Sequence, residues 1–163
     1  MLSCMFHIYY MKKVQEISSY HDAMDEIELA LQEYPDPGLT WRHFFSPGVY
    51  CREMTVPPGA VVTSEIHKTE HRFVLSAGML TVRTEDGEKL IKAPYIGLTT
   101  PGTRRVAYFH LESVWTTVHY LDWVTGHEPE DESEFNKAIT RAETELIENY
   151  KNPLLCHSQQ QLD

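Results

Sequence analysis

The sequence predicts a mainly β fold, an antiparallel sandwich or barrel, with one helix before it and one after it. Three observations carry this expectation. Between Gly48 and Asp122 the chain breaks into short runs rich in Val, Ile, Thr, Tyr and Phe, separated by Gly and Pro: VYCREMTV, AVVTSEIH, RFVLSAG, MLTVRT, KLIKA, YIGLTT, RVAYF and VWTTVHYL. Within them, Thr84-Glu85-Asp86-Gly87-Glu88 is a hairpin signal, because Asp-Gly tolerates the positive φ of a tight turn. Outside them, two stretches switch to the three- and four-residue apolar spacing of amphipathic helices.

Residues 1–10 (MLSCMFHIYY) carry no leading positive charge and no cleavage site, so they do not read as a signal peptide. They read instead as a disordered extension ahead of a second start at Met11. Residues 11–37 form an N-terminal helical segment, in which Met24, Ile27, Leu31 and Tyr34 make one stripe on an acidic helix over 19–34. Ser18 or Ser19 caps its start, and Pro35-Asp36-Pro37-Gly38 ends it. The barrel occupies 38–125. Residues 126–163 contribute an acidic linker, a helix capped by Asp131 or Ser133, and a polar tail. The stripe Phe135, Ala138, Ala142, Leu146, Tyr150 should dock on the β core or a partner subunit, and Pro153 stops the helix.

Composition narrows the function. The 163 residues hold 14 Lys plus Arg against 24 Asp plus Glu, a formal charge of −10, which repels phosphate backbones and argues against nucleic-acid binding. No run of 18 apolar residues exists, so no membrane span is expected. Cys4, Cys51 and Cys156 are odd in number and far apart. They suit a reducing cytoplasm and encode neither a zinc ribbon nor a dithiol redox site.

The chemistry sits between Pro57 and His71. On a strand, Val61, Thr63, Glu65 and His67 share a face, and a turn at Lys68-Thr69-Glu70 lets His71 open the next strand beside them. Two imidazoles and a carboxylate converging on one side of a sheet suit a divalent metal. The same segment reads as HxxEH through His67, Glu70 and His71. That protease chemistry needs a helix, and the β-branched flanks argue against one.

This segment resembles the first motif of the cupin superfamily: Gly, five residues, His-x-His, three or four residues, Glu, six residues, Gly. Here Gly59 is followed by five residues, Glu65-x-His67, three residues, His71, six residues and Gly78, with the outer two ligand types exchanged. The second motif fits less well. Gly97 is followed by three residues, Pro101-Gly102, two residues and then Arg105, which stands where the fourth ligand belongs and cannot bind a metal. The resemblance covers about residues 48–122. It implies a double-stranded β-helix, or jelly-roll barrel, commonly a homodimer, with a site inside the barrel mouth.

The expected metal ligands are therefore Glu65, His67 and His71, holding Fe, Zn, Mn or Ni with positions left open for water, oxygen or substrate. An inward Arg105 needs an anionic partner: Glu65 itself, or the carboxylate or phosphate of a small anionic molecule. Arg104 and Arg105 also suit a solvated surface. Tyr108 and His119 are candidate ligand-binding residues, His119 as a late ligand or proton-transfer group. Tyr108, Phe109, Trp115 and Tyr120 are read as barrel aromatics, and His110 as exposed. The leading expectation is a metal-dependent small-molecule cupin acting as an oxygenase, isomerase or hydrolase. The alternatives are a non-enzymatic binder of an anionic metabolite or nucleotide-like ligand, such as a phage accessory protein, and an oligomeric structural module.

Overall fold

A computed structural model of the chain describes residues 20–148. The expectations for 1–10, Met11, the Ser18 or Ser19 cap, Tyr150, Pro153 and the tail lie outside those residues. The elements run α1 (Tyr20–Leu31), β1 (Thr40–Ser46), β2 (Val49–Val56), β3 (Val61–Thr63), β4 (His71–Ala77), β5 (Met79–Thr84), β6 (Gly87–Lys92), β7 (Tyr95–Thr99), β8 (Val106–Phe109), β9 (Ser113–Tyr120) and α2 (Glu132–Leu146).

The strands form two antiparallel sheets, ordered β1-β2-β9-β4-β7 and β3-β8-β5-β6. Sequence neighbours β3 and β4 lie in different sheets, as do β4 and β5. The chain therefore crosses between faces repeatedly and closes the double-sheet jelly roll expected from the sequence. Strand β1, which adds an edge to the five-stranded sheet, falls outside the runs recognised in the sequence. Its Trp41 and Phe45 alternate correctly, but His43 and Arg42 interrupt the apolar pattern. The β5–β6 hairpin closes with Thr84 opposite Gly87, at the expected turn.

Alternation along the strands builds the interior. On β9, Ser113, Trp115, Thr117 and His119 are buried and point inward, while the residues between them face out. The inner faces meet in a core of Met54, Val56, Phe73, Leu75, Leu80, Val82, Ile91, Phe109 and Trp115. Helix α1 covers the outside of the four-stranded sheet, burying Met24 and Ile27 against Val106. It ends at Leu31, short of Tyr34, which is exposed. Helix α2 closes one end of the barrel, where Ala142 and Leu146 pack on Phe45, Tyr50, Leu121 and Val124. Its N-cap is Asp131, whose carboxylate accepts from the Glu134 N–H at 3.0 Å. Among the described residues no helix is long and apolar enough to cross a membrane.

Candidate metal centre

Strand pairing arranges the inward side chains of the five-stranded sheet in rows. One row runs His43, Arg52, Thr117, Phe73, Gly97 across β1, β2, β9, β4 and β7. In the next row Tyr50 of β2 stands opposite His119 of β9, while His71 of β4 stands opposite Thr99 of β7. This second row lies at the barrel end that α2 covers, and it supplies two of three converging histidines.

The third, His67, comes from the segment after β3. Ser64 still pairs with the start of β8, donating its N–H to the Arg105 carbonyl at 2.9 Å and accepting the Arg105 N–H on its hydroxyl at 3.0 Å. The chain then leaves the sheet for the end of α2. Glu148 N–H donates to the Ile66 carbonyl and Lys68 N–H to the Leu146 carbonyl, each at 2.8 Å, making a bridge between His67 and Ile147. Gly102 N–H donates to the His67 carbonyl at 3.0 Å from the other side.

The imidazoles of His67, His71 and His119 offer ligand nitrogens that all lie within 4.8 Å of one another. Their ring centroids are 4.4 Å apart for His67–His71, 4.3 Å for His71–His119 and 5.4 Å for His67–His119. Nitrogens bound to one ion at about 2.1 Å stand roughly 3.0–3.5 Å apart, so small side-chain adjustments close the tripod. All three residues are buried.

Burial, reinforced by neighbouring positive charge, holds the three rings neutral. The pKa of His67 falls to about 2, that of His119 to about 3 and that of His71 to about 4. The His71 Nδ1 lies 3.3 Å from the Thr69 carbonyl, which only accepts, so Nδ1 carries the proton and Nε2 presents its lone pair. The His119 Nδ1 is buried without a hydrogen-bond partner.

Of the three metal ligands expected from the sequence, the structure brings together His67 and His71 but not Glu65. Strand β3 stops at Thr63, so two-residue alternation does not carry through to 65 and 67. Ile66 and His67 are buried consecutively while Glu65 is exposed, a pattern that pleated backbone with one buried face does not give. His119, read from the sequence only as a possible late ligand, takes the third place. Residues 67–71 are a bridge and bend leading into β4, not a helix, and Glu70 is exposed, so the HxxEH geometry is absent.

The two adjacent arginines part company. Arg104 points outward under α1, buried between Asp25 (2.6 Å) and Glu28 (2.8 Å). Arg105 points inward. Its guanidinium donates to the Thr99 hydroxyl at 2.7 Å and lies over the rings of Phe73 (5.5 Å) and Trp115 (5.8 Å), themselves stacked at 4.1 Å. Its Nε is buried with no partner, and burial lowers its pKa. No ion pair joins it to Glu65 or to any other described carboxylate.

Tyr108 does not line the interior. It shares the outer face of β8 with Val106 and meets His110 edge-on at 4.9 Å. His110 is half-buried and hydrogen-bonded to the Thr81 hydroxyl at 2.8 Å, and Tyr120 faces solvent, whereas Phe109 and Trp115 are core. Sequence reasoning passed over Arg52. Its signal was parity: in VYCREMTV it shares the inward set with Tyr50, Met54 and Val56.

No protein-family model and no curated protein matches the chain. Among solved structures it is similar to an acetylacetone dioxygenase from Acinetobacter johnsonii, at 19% identity and a TM-score of 0.42. That match spans 53% of this chain and 65% of the dioxygenase. It is also similar to the EutQ protein of Clostridium difficile (12% identity, 56% of this chain and 79% of that one, TM-score 0.44) and to KdgF from Halomonas sp. (13%, 55% and 91%, TM-score 0.46). The two-sheet arrangement is a jelly roll, the fold that the sequence resemblance implied, and its Gly59–Gly78 segment carries two of the converging histidines.

Proposed function

We propose that His67, His71 and His119 hold a divalent metal and that a small anionic molecule binds beside it at Arg105. The observation carrying this reading is the convergence of three buried, neutral imidazoles, one with an orphaned ring nitrogen, where no described carboxylate joins them. The donor set fits the group: imidazole suits Fe, Zn and Ni, and three protein ligands leave positions open. Bound there, such an ion would supply Lewis-acid or oxygen-activating chemistry.

The chain's own residues do the rest. Thr99 fixes the guanidinium of Arg105, and the Phe73–Trp115 stack supports its face, so its free N–H groups are presented to a carboxylate or phosphate in a set orientation. The two rings also shield one side of the guanidinium from water, which strengthens that interaction. Arg105 also favours a second reading, a non-enzymatic barrel that sequesters an anion, since a half-buried guanidinium without an acidic partner among the described residues is a binding element in its own right.

Elemental analysis of the purified protein tests the reading. A stoichiometric divalent metal is expected in wild type and in Glu65→Ala, and loss of at least 90% of it in His67→Ala and His119→Ala. A metal-free protein in metal-supplemented buffer would overturn the site, and metal loss in Glu65→Ala alone would restore the carboxylate ligand. Anion binding that persists unchanged after metal removal would favour the binder over the enzyme.

A further inference from the structure

A second inward guanidinium, Arg52, stands in the same row as Thr117 and Phe73. Strands β2, β9 and β4 are neighbours, so its Cα lies two strand spacings, roughly 10 Å, from that of Phe73, over which Arg105 sits. The two arginines therefore approach the histidines one from each sheet, and the charge of both bears on His67 and His71. They differ in what neutralises them. Arg105 has no acidic partner among the described residues. Arg52 rests on the Trp41 ring at 5.1 Å and faces the Glu143 carboxylate of α2 at 3.5 Å, with both side chains largely buried.

Glu143 reaches this position because Ala142 and Leu146 seat α2 on the barrel end and the Lys68 and Glu148 main-chain bonds lock its last turn. It is a carboxylate that the fold itself supplies against Arg52.

We infer that Glu143 sets the charge of the ligand the site accepts: by occupying Arg52 it leaves Arg105 to bind one carboxylate, and it repels a second. The inference rests on the proposed anion site at Arg105 and adds its substrate class, small monocarboxylates over dicarboxylates. Glu143 and Arg52 act as specificity-determining residues, through one fixed ion pair and without touching the reacting atoms.

Butyrate and succinate, which share a four-carbon chain, separate the cases when titrated calorimetrically into the metal-loaded protein. Wild type should bind butyrate at least tenfold tighter than succinate. Glu143→Gln should leave butyrate within threefold and tighten succinate at least tenfold, Glu143→Asp should keep the wild-type order, and Arg52→Gln added to Glu143→Gln should erase the succinate gain. Succinate binding no tighter in Glu143→Gln than in wild type, in a variant whose melting temperature shows it folded, overturns the inference while leaving the anion site standing. Failure of both acids to bind wild type, or binding undiminished in Arg105→Gln, overturns the site and the inference with it.

Discussion

Gly97 has no side chain because the Phe73 ring occupies the space one would fill. A Cβ built there would lie 2.1 Å from Phe73 Cζ and 2.4 Å from Cε1. Phe73 cannot retreat, since its other face is stacked on Trp115 and the Arg105 guanidinium lies over it. The close approach of β7 to this ring is what gives Arg105 a flat, rigid seat. Gly97→Ala should therefore destabilise the protein by about 1–3 kcal/mol, the usual cost of overpacking a filled core. The expected readout is a lower urea midpoint at unchanged m value. A midpoint equal to wild type would mean that the ring moves freely.

At the level of elements, the helices are held by charge as much as by apolar surface. Helix α1 fully buries only Ala23, Met24 and Ile27, with Tyr20, Ala30 and Leu31 partly buried beside them. Arg104 adds to this contact: its guanidinium, 3% exposed, bonds Asp25 and Glu28 one turn apart and the His21 carbonyl, while Tyr20 donates to the Arg83 and Arg104 carbonyls. Replacing it with Met leaves Glu28, 16% exposed, facing the sheet without its counter-charge. Arg104→Met should cost about 2–3 kcal/mol, less than a fully buried pair because Asp25 remains 38% exposed and regains water. Chemical denaturation measures this, and a loss under about 0.5 kcal/mol would show that α1 docks by its apolar stripe alone.

For the whole molecule, the buried histidines make stability depend on pH. Their folded pKa values of about 2, about 3 and about 4 lie below the ordinary value near 6.5. Between 6.5 and about 4 the unfolded chain therefore binds more protons than the folded one, so stability falls as the solution is acidified. Each such group contributes up to roughly 1.4 kcal/mol per pH unit within its window. The melting temperature of metal-free protein should drop steadily from pH 7 to pH 5, and a His71→Gln, His119→Gln double variant should show a shallower slope. Equal slopes in the two proteins would contradict burial of these rings as neutral groups.

Much of this was legible in the chain itself. Eight β-rich runs, the Asp-Gly hairpin and the two helical stripes rest on local propensity and period, which a short window already contains. So do Gly59, His67, His71 and Gly78, whose spacing is an interval in sequence. What the window lacks is where a strand ends. Alternation carried past Thr63 put Glu65 inside, whereas the main-chain bonds from α2, some 80 residues downstream, pull Ile66 and His67 inward together and turn Glu65 to solvent. Likewise, two arginines adjacent in sequence face opposite sides of one sheet, so their partners, α1 for Arg104 and the Phe73–Trp115 stack for Arg105, come from distant segments. The sequence alone determined an antiparallel β sandwich or barrel between two helices, with His67 and His71 brought together across a turn, because period and turn chemistry are local. Which third side chain completes the cluster, and which arginine faces it, was decided only by tertiary packing, because those are contacts between segments that meet when the sheets close.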